Sequence, residues 1–157
     1  SIILDSLIND FLAGEIEHAV WRAWDEVGPD VIVIEGQGSL MNPAYPGGYE
    51  ILAAGRPDIV ILQHAPARRE YDGFPGYRLH SVRRQIQAIE FLSGKRVVAI
   101  TLNHERLSDR GVEIAVERLH ASTGLPVCDV LKHGIGPLIE VLVPYLEESE
   151  PPCKAAV

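Results

Sequence analysis

Cysteine and methionine are scarce in this sequence, and their scarcity limits the classes of protein it can belong to. The 157 residues include two cysteines, Cys128 and Cys153, and a single methionine, Met41. Two cysteines are too few for a disulfide framework, and these two lack the spacing of metal ligands. We therefore expect a reducing, cytoplasmic setting. Because the chain begins with Ser1 and has no initiator methionine, we also expect it to be part of a longer polypeptide.

The sequence also lacks an excess of positive charge. It has 14 Lys and Arg against 22 Asp and Glu, for a net charge of -8, so no basic surface for nucleic acid or an anionic membrane is expected. No apolar run approaches the roughly 20 residues of a membrane helix. The hydrophobic fraction of 46% is typical of a globular domain. Trp21 and Trp24 are expected to cover its core.

The hydrophobic pattern alternates between two periods. Continuous apolar runs, typical of strands buried on both faces, alternate with segments of helical spacing. This predicts an α/β domain with a mostly parallel sheet and helices on both faces. The pattern opens on a helix, whereas a βαβ unit opens on a strand, so we expect strands to precede Ser1. The predicted strands are 31–34, 59–62, 97–101 and a weaker 126–131, the predicted helices are 6–27, 48–55, 80–93, 109–122 and 135–147, and 147–157 is expected to be a flexible tail.

The first candidate site follows the predicted strand 31–34. Ligands of open parallel sheets bind beyond the carboxyl ends of the strands. There Glu35 is placed to hold a divalent cation, and Gly36 and Gly38 let backbone amides approach a phosphate. The alternative is a tight turn in which Glu35 caps a neighbouring group. A dinucleotide fingerprint is incomplete, because Met41 occupies the place of its third glycine.

The second candidate site follows the predicted strand 59–62. His64 is placed to act as an acid, a base or a hydrogen-bond donor. Arg68 and its neighbour Arg69 could clamp a carboxylate or a phosphate, with Tyr71 and Tyr77 lining the site. The alternative is an exposed loop, rich in proline and glycine, with ordinary surface arginines.

Two further loops follow the remaining predicted strands. The amide of Asn103 could hydrogen-bond a purine edge or could cap the next helix. His104 and Glu105 are expected to face solvent. The segment Lys132–Gly136 leads into a helix, whose N-terminus attracts anions. The alternative is routine architecture, because Pro137 at an early helical position is common.

Several segments together resemble a two-domain family that was first described without a function. Some of its members are assigned as D-glutamate N-acetyltransferases. The similarity extends to about Val143, and the Glu-Gly-Gln-Gly-Ser-Leu stretch is its most specific part. The segments are Ile2–Gly14, Val33–Tyr45, Arg56–Asp58, His64–Arg68, Leu102–Asn103 and Thr123–Asp129.

The resemblance implies a P-loop fold that lacks its phosphate-binding loop in this sequence. In that family a Rossmann-like domain precedes a P-loop domain similar to dethiobiotin synthetase, and residues 1–146 resemble the C-terminal portion of the P-loop domain. The glycine-rich stretch ending in Gly-Lys-Thr or Gly-Lys-Ser is absent from the sequence, and Ser93–Arg96 is no substitute. By resemblance, Glu35 is the carboxylate that holds Mg²⁺ and Asn103 contacts adenine.

The resemblance also implies a reaction. It is acetyl transfer from acetyl-CoA to the amino group of D-glutamate. For that reaction a base such as His64 would take the ammonium proton, and arginines such as Arg68 would hold the carboxylates of the small acidic substrate. Mg²⁺ with ATP or acetyl-CoA would serve as cofactors. The alternatives are ATP- and Mg²⁺-dependent phosphoryl transfer or ligation, and a non-catalytic nucleotide-binding or assembly domain. Expected partners are the N-terminal part of the same polypeptide and further copies of the protein. The 157 residues alone are expected to bind nucleotide poorly and to be inactive.

Overall fold

The chain folds into six helices and three strands within residues 9–36, 39–44 and 47–147, the part that this computed structural model describes. Helices and strands alternate through the middle of the chain, as the sequence predicts. In chain order the elements are α1 (Asn9–Val27), α2 (Gly47–Gly55), β1 (Val60–His64), α3 (Val82–Ser93), β2 (Val97–Leu102), α4 (Asp109–Thr123), β3 (Val127–Cys128), α5 (Val130–His133) and α6 (Gly136–Glu147).

The three strands form one parallel sheet in the order β1-β2-β3. β2 lies in the middle, and all six of its residues are buried. His64 of β1 is aligned with Leu102 of β2, and Thr101 of β2 is aligned with Cys128 of β3. The carboxyl ends of all three strands therefore meet at one edge of the sheet, which we call the carboxyl edge.

Local sequence signals set the ends of helices α3 and α4. The hydroxyl of Ser81 accepts a hydrogen bond from a backbone amide in the first turn of α3, and Ser108 does the same for α4. Both helices end at a glycine in the left-handed region, Gly94 with φ 66° and Gly124 with φ 74°. Serine N-caps and glycine C-caps are strong boundary signals, which is why the sequence locates these helices well.

Helices cover both faces of the sheet, as predicted. Successive residues of a strand point to opposite faces. Ile100 of β2 packs in a cluster with Ile89 of α3, and Leu102 packs with α4. Ala99, on the other face, packs with Leu138 of α6. The sheet is thus the middle layer of three, and the predicted α/β class is confirmed.

The prediction of a central strand at 31–34 is wrong. The alternation of exposed and half-buried residues indicates an extended segment, but it forms no strand pairing within the described ranges. Val33 is 87% exposed, whereas Ile32 and Ile34 are half-buried. A strand forms only where a neighbour completes its hydrogen-bond ladder. No described residue supplies that ladder here, so the apolar run gives an extended segment instead.

The segment is held from one side by helix α2. A Cβ added to Gly55 would lie 3.0 Å from Cδ1 of Ile34 and 3.8 Å from Cγ2 of Ile16 in α1. The absence of a side chain at Gly55 therefore lets α1, α2 and the extended segment approach one another closely.

The predicted strand 126–131 is shorter than expected. Only Val127 and Cys128 pair with β2, and the chain then turns at Asp129 into the short helix α5. Asp129 is the N-cap of that helix, and an N-cap side chain ends a strand in favour of a helix. The expected tail is not tested, because 148–157 lie outside the described residues.

The two tryptophans do not cover the core as expected. Trp21 is 53% exposed, and both Trp21 and Trp24 line a cleft of about 350 Å³ between α1 and the end of α2. Arg56 and Ile32 also line this cleft. Among the helices of residues 9–147 that the structure describes, none has the length and apolar content needed to cross a bilayer.

Candidate active site at the carboxyl edge of the sheet

Chemically active side chains from three loops meet at the carboxyl edge. His64 ends β1, and its carbonyl oxygen accepts a hydrogen bond of 2.8 Å from the backbone amide of Asn103, directly after β2. Asp129 directly follows β3. The parallel register therefore places the residues after each strand side by side, as expected for an open parallel sheet.

An ion pair joins the loop after β1 to the loop after β2. Nε and Nη2 of Arg68 both lie 2.7 Å from Oε2 of Glu105. Nε of Arg106 lies 3.4 Å from Oε1 of the same carboxylate. The hydrogen bond from Arg68 lowers the pKa of Glu105. The sequence predicts that Glu105 faces solvent. It is instead ion-paired with the guanidinium of Arg68.

A histidine–aspartate pair joins the loop after β2 to the end of β3. Nδ1 of His104 lies 2.6 Å from Oδ2 of Asp129. Asp129 is fully buried, while the His104 side chain is 35% exposed. Oδ1 of Asp129 accepts from the backbone amides of Leu131 at 3.1 Å and Lys132 at 3.3 Å. Both oxygens of this buried carboxylate are therefore satisfied, and His104, expected to face solvent, is partly exposed but also bonded to Asp129.

His64, the histidine singled out from the sequence, is half-buried at the end of β1. Its imidazole has no hydrogen-bond or ion-pair partner within the described part of the chain. Burial lowers its pKa from 6.5, because a low-dielectric setting disfavours the charged form. His64 is therefore held in its neutral form near pH 7, the form that can accept a proton.

The side-chain amide of Asn103 has one structural hydrogen bond. Its Oδ1 accepts a hydrogen bond of 3.0 Å from the backbone amide of Glu105. One alternative is that Asn103 caps the next helix. The N-cap of α4 is instead Ser108, and Asn103 shapes the loop before it. No described residue accepts a hydrogen bond from Nδ2 of Asn103, which leaves this donor for a ligand.

The structure does not join Glu35 to this group. Its side chain is exposed at the end of the extended segment, and it has no hydrogen bond or ion pair with any residue that the structure describes. Gly36 lies beside it in the same exposed segment, and Gly38 lies outside the described residues. The phosphate role expected of the two glycines stays a prediction.

The donor set around Glu35 does not by itself fit a resident metal ion. Within residues 9–36, 39–44 and 47–147, no three His, Cys, Asp or Glu side chains are grouped so that they could hold one. Mg²⁺ is normally held by one or two carboxylates together with substrate phosphates and water, so Glu35 alone is an incomplete set of ligands. The magnesium role of Glu35 stays a prediction.

Two other residues singled out from the sequence are engaged by neighbouring side chains. Tyr71, expected to line the site, is 3% exposed and its hydroxyl lies 2.6 Å from Nδ1 of His80. Burial raises the pKa of Tyr71, and its role is to hold the loop before α3. Lys132, at the start of the predicted anion site, instead pairs with Asp109 of α4.

Sequence reasoning missed the role of His104 and Asp129. A usable signal existed, since Asp129 directly follows an apolar run in the same way as Glu35, and an acid there has few purely structural uses. Their partnership spans 25 residues and depends on strand register, which the sequence does not display.

The three-layer architecture, with polar groups gathered at the carboxyl ends of parallel strands, defines an α/β domain of the kind that binds a ligand at that edge. Residues 1–139 match the family model described as "Domain of unknown function (DUF1611_C) P-loop domain". The chain belongs to this family.

Three relatives show how much of a longer protein the chain represents. It is 31% identical over 145 residues to a D-glutamate N-acetyltransferase of Tritonibacter scottomollicae, which aligns 88% of this chain and 43% of the relative. It is 30% identical over 150 residues to a protein of the same name from a Pseudoalteromonas species, aligning 88% and 42%. The crystal structure of a DUF1611 family protein from Anabaena variabilis ATCC 29413 superimposes with a TM-score of 0.85 at 26% identity, covering 92% of this chain and 43% of that one. The chain thus spans less than half the length of these relatives.

Proposed function

We propose that this chain is the P-loop-domain portion of an enzyme that transfers the acetyl group of acetyl-CoA to the amino group of D-glutamate. The observation that carries the proposal is the match of 88% of the chain to two proteins named D-glutamate N-acetyltransferase. The carboxyl edge supplies the group types that the reaction needs, namely a neutral histidine and guanidinium groups. A reducing, cytoplasmic compartment, where acetyl-CoA is available, belongs to the same proposal.

The arginines of the carboxyl edge fit a substrate with two carboxylates. Arg68 and Arg106 lie on either side of the Glu105 carboxylate. The side chains of Arg68 and Glu105 are 45% and 34% exposed, and ion pairs in such settings contribute little to stability. A substrate carboxylate can therefore exchange with Glu105 at small cost, because it offers Arg68 the same paired hydrogen bonds.

The acetyl-transfer step itself requires that the amine lose a proton and attack the thioester carbonyl. In the scheme drawn from the sequence, His64 is the base. Burial keeps its imidazole neutral, which suits a proton acceptor near pH 7. The free Nδ2 donor of Asn103 is available to a carbonyl or purine acceptor of the donor substrate.

The test is an assay of the full-length protein with acetyl-CoA and either enantiomer of glutamate. Release of the CoA thiol is followed with a disulfide reagent, and the product is identified by mass spectrometry. We expect N-acetyl-D-glutamate without added ATP. Phosphate release that requires ATP, Mg²⁺ and the acidic substrate, with no acetylated product, would replace this proposal by the phosphoryl-transfer alternative.

A substitution of Arg68 tests the carboxylate site within that assay. For Arg68→Ala we expect KM for D-glutamate to rise by about 10- to 100-fold, the effect of losing a charged hydrogen bond. KM for acetyl-CoA should stay near its wild-type value. Arg69→Ala is the matched control, because Arg69 is exposed and no described side chain pairs with it. Equal effects of the two substitutions would remove Arg68 from the site.

A further inference from the structure

The pair His104–Asp129 has features that helix capping alone does not explain. Asp129 caps α5 with Oδ1, and capping needs only one oxygen. Its second oxygen, Oδ2, is buried and bonded to Nδ1 of His104 at 2.6 Å. Burying a carboxylate is costly unless each oxygen has a donor. An asparagine would cap the helix without that cost, so the carboxylate has a use at His104.

The carboxylate determines which ring nitrogen of His104 carries the proton. A carboxylate only accepts hydrogen bonds, so the nitrogen that faces it, Nδ1, is the donor. Nε2 of the neutral ring is then left with its lone pair. No described residue bonds to Nε2, and the His104 side chain is 35% exposed. The ring is therefore held in one tautomer, and its basic nitrogen is unpartnered among the described residues in a partly exposed side chain.

His64 lacks this arrangement. Its imidazole has no hydrogen-bond partner among the described residues, so no hydrogen bond fixes its tautomer or its ring angle. The residue next to His104, Glu105, holds Arg68, the group proposed to bind the substrate carboxylate. A substrate that takes the place of Glu105 on Arg68 thus lies beside the loop that carries His104. The fixed orientation of its ring favours His104 over His64.

We propose that His104 is the general base of the reaction and that Asp129 is its positioning residue. This inference rests on the proposed function. Nε2 of His104 takes a proton from the ammonium group of the acceptor. The freed nitrogen lone pair forms the C–N bond to the acetyl carbon, and the C–S bond breaks with its electrons going to sulfur. The thiolate takes up the second amine proton, and His104 returns its proton to water. The products are the acetamide, the free thiol and one proton.

The first experiment replaces His104 in the full-length protein. For His104→Ala we expect kcat to fall about 100- to 10,000-fold, the usual contribution of a general base, with KM for acetyl-CoA little changed. Added imidazole should restore part of kcat, because it can occupy the space of the missing ring. The control is His120→Ala, whose ring lies at the opposite end of β3, against the carbonyl of Leu125, and it should keep wild-type kcat.

The second experiment separates positioning from folding. In Asp129→Asn the amide oxygen can still accept from the α5 amides, but the amide nitrogen would face His104 and donate. This change forces the proton onto Nε2. We expect a large loss of kcat with an unchanged KM and a melting temperature close to that of wild type. In protein labelled with ¹⁵N-histidine, the ring spectrum of His104 should switch from the Nδ1–H to the Nε2–H form.

The outcomes distinguish this inference from the proposed function. No acetylation by the wild-type protein would overturn the proposed function and the base role with it. Acetylation that continues at a near wild-type rate in His104→Ala would overturn the base role alone and return His64 as the base. A wild-type spectrum that shows His104 protonated on Nε2 would overturn the positioning role of Asp129.

Discussion

Two apolar runs of similar composition have different fates in this protein. Val97–Leu102 forms β2, the buried centre of the sheet, whereas 31–34 is extended, unpaired among the described residues and alternately exposed. From the sequence, both runs are predicted to be strands that are buried on both faces. The difference is that β2 has a hydrogen-bonding neighbour on each side. Apolar content gives a preference for burial, but a strand also needs partners for its backbone groups.

Two carboxylates that follow apolar runs of the chain show the same contrast. Asp129, after β3, is fully buried and has three hydrogen-bond donors around its two oxygens. Glu35, after the extended segment, is exposed and without a partner in the described ranges. A carboxylate at a strand end becomes part of a built site only where neighbouring strands bring donors to it. The predictions below test this contrast.

The largest change in the free energy of unfolding is expected from one of two Val→Ala substitutions. Val98 of β2 is 5% exposed and Val33 is 87% exposed. Val98→Ala should lower the free energy of unfolding by about 2 kcal/mol, the loss of two buried methyl groups and the cavity they leave. Val33→Ala should change it by less than about 0.5 kcal/mol. Urea denaturation of the 157-residue chain measures both, and equal losses would show that 31–34 is a core strand.

The second prediction compares the two carboxylates. Asp129→Ala removes a helix cap and the partner of His104, and should lower the free energy of unfolding by about 1–2 kcal/mol. Glu35→Ala should leave it within about 0.5 kcal/mol of wild type. Thermal denaturation of the two variants under identical conditions provides the comparison. A larger effect at Glu35 would mean that this carboxylate has a partner in the folded protein.

The smallest expected effect is the contribution of His64 to the pH dependence of folding stability. Its pKa in the folded protein is lowered from 6.5 by burial, so below pH 6.5 the unfolded chain binds more protons than the folded one. Stability should therefore fall as pH drops from 6.5 towards the lowered pKa, and level off below it. His64→Gln should show a shallower loss over this range. Denaturation midpoints at pH 7.0, 6.0 and 5.0 measure it, and identical slopes would contradict the burial of the ring.

The sequence predicts those parts of the fold that local signals set. The serine and glycine caps mark α3 and α4, and the long apolar run marks β2, so their bounds are close to those observed. The same reasoning failed at 31–34, because strand formation depends on a neighbour that composition does not reveal. It also extended β3 too far, because the capping role of Asp129 competes with the apolar residues after it.

The candidate site could be predicted only in part. His64 ends β1, Arg68 and Asn103 lie in the loops after β1 and β2, and the ends of strands are readable from the sequence. Their partners are not readable, because Glu105 meets Arg68 across 37 residues and Asp129 meets His104 across 25. Those meetings follow from the parallel register, which only the folded chain displays.

The central claim is that the carboxyl edge of the sheet is where the acidic substrate binds. The most direct measurement is a crystal structure of the full-length protein with N-acetyl-D-glutamate bound. We expect one product carboxylate to replace Glu105 on Arg68 and the acetamide nitrogen to lie within hydrogen-bonding distance of Nε2 of His104. Product bound in the cleft beside Trp21 and Trp24, with the Arg68–Glu105 pair intact, would contradict the claim.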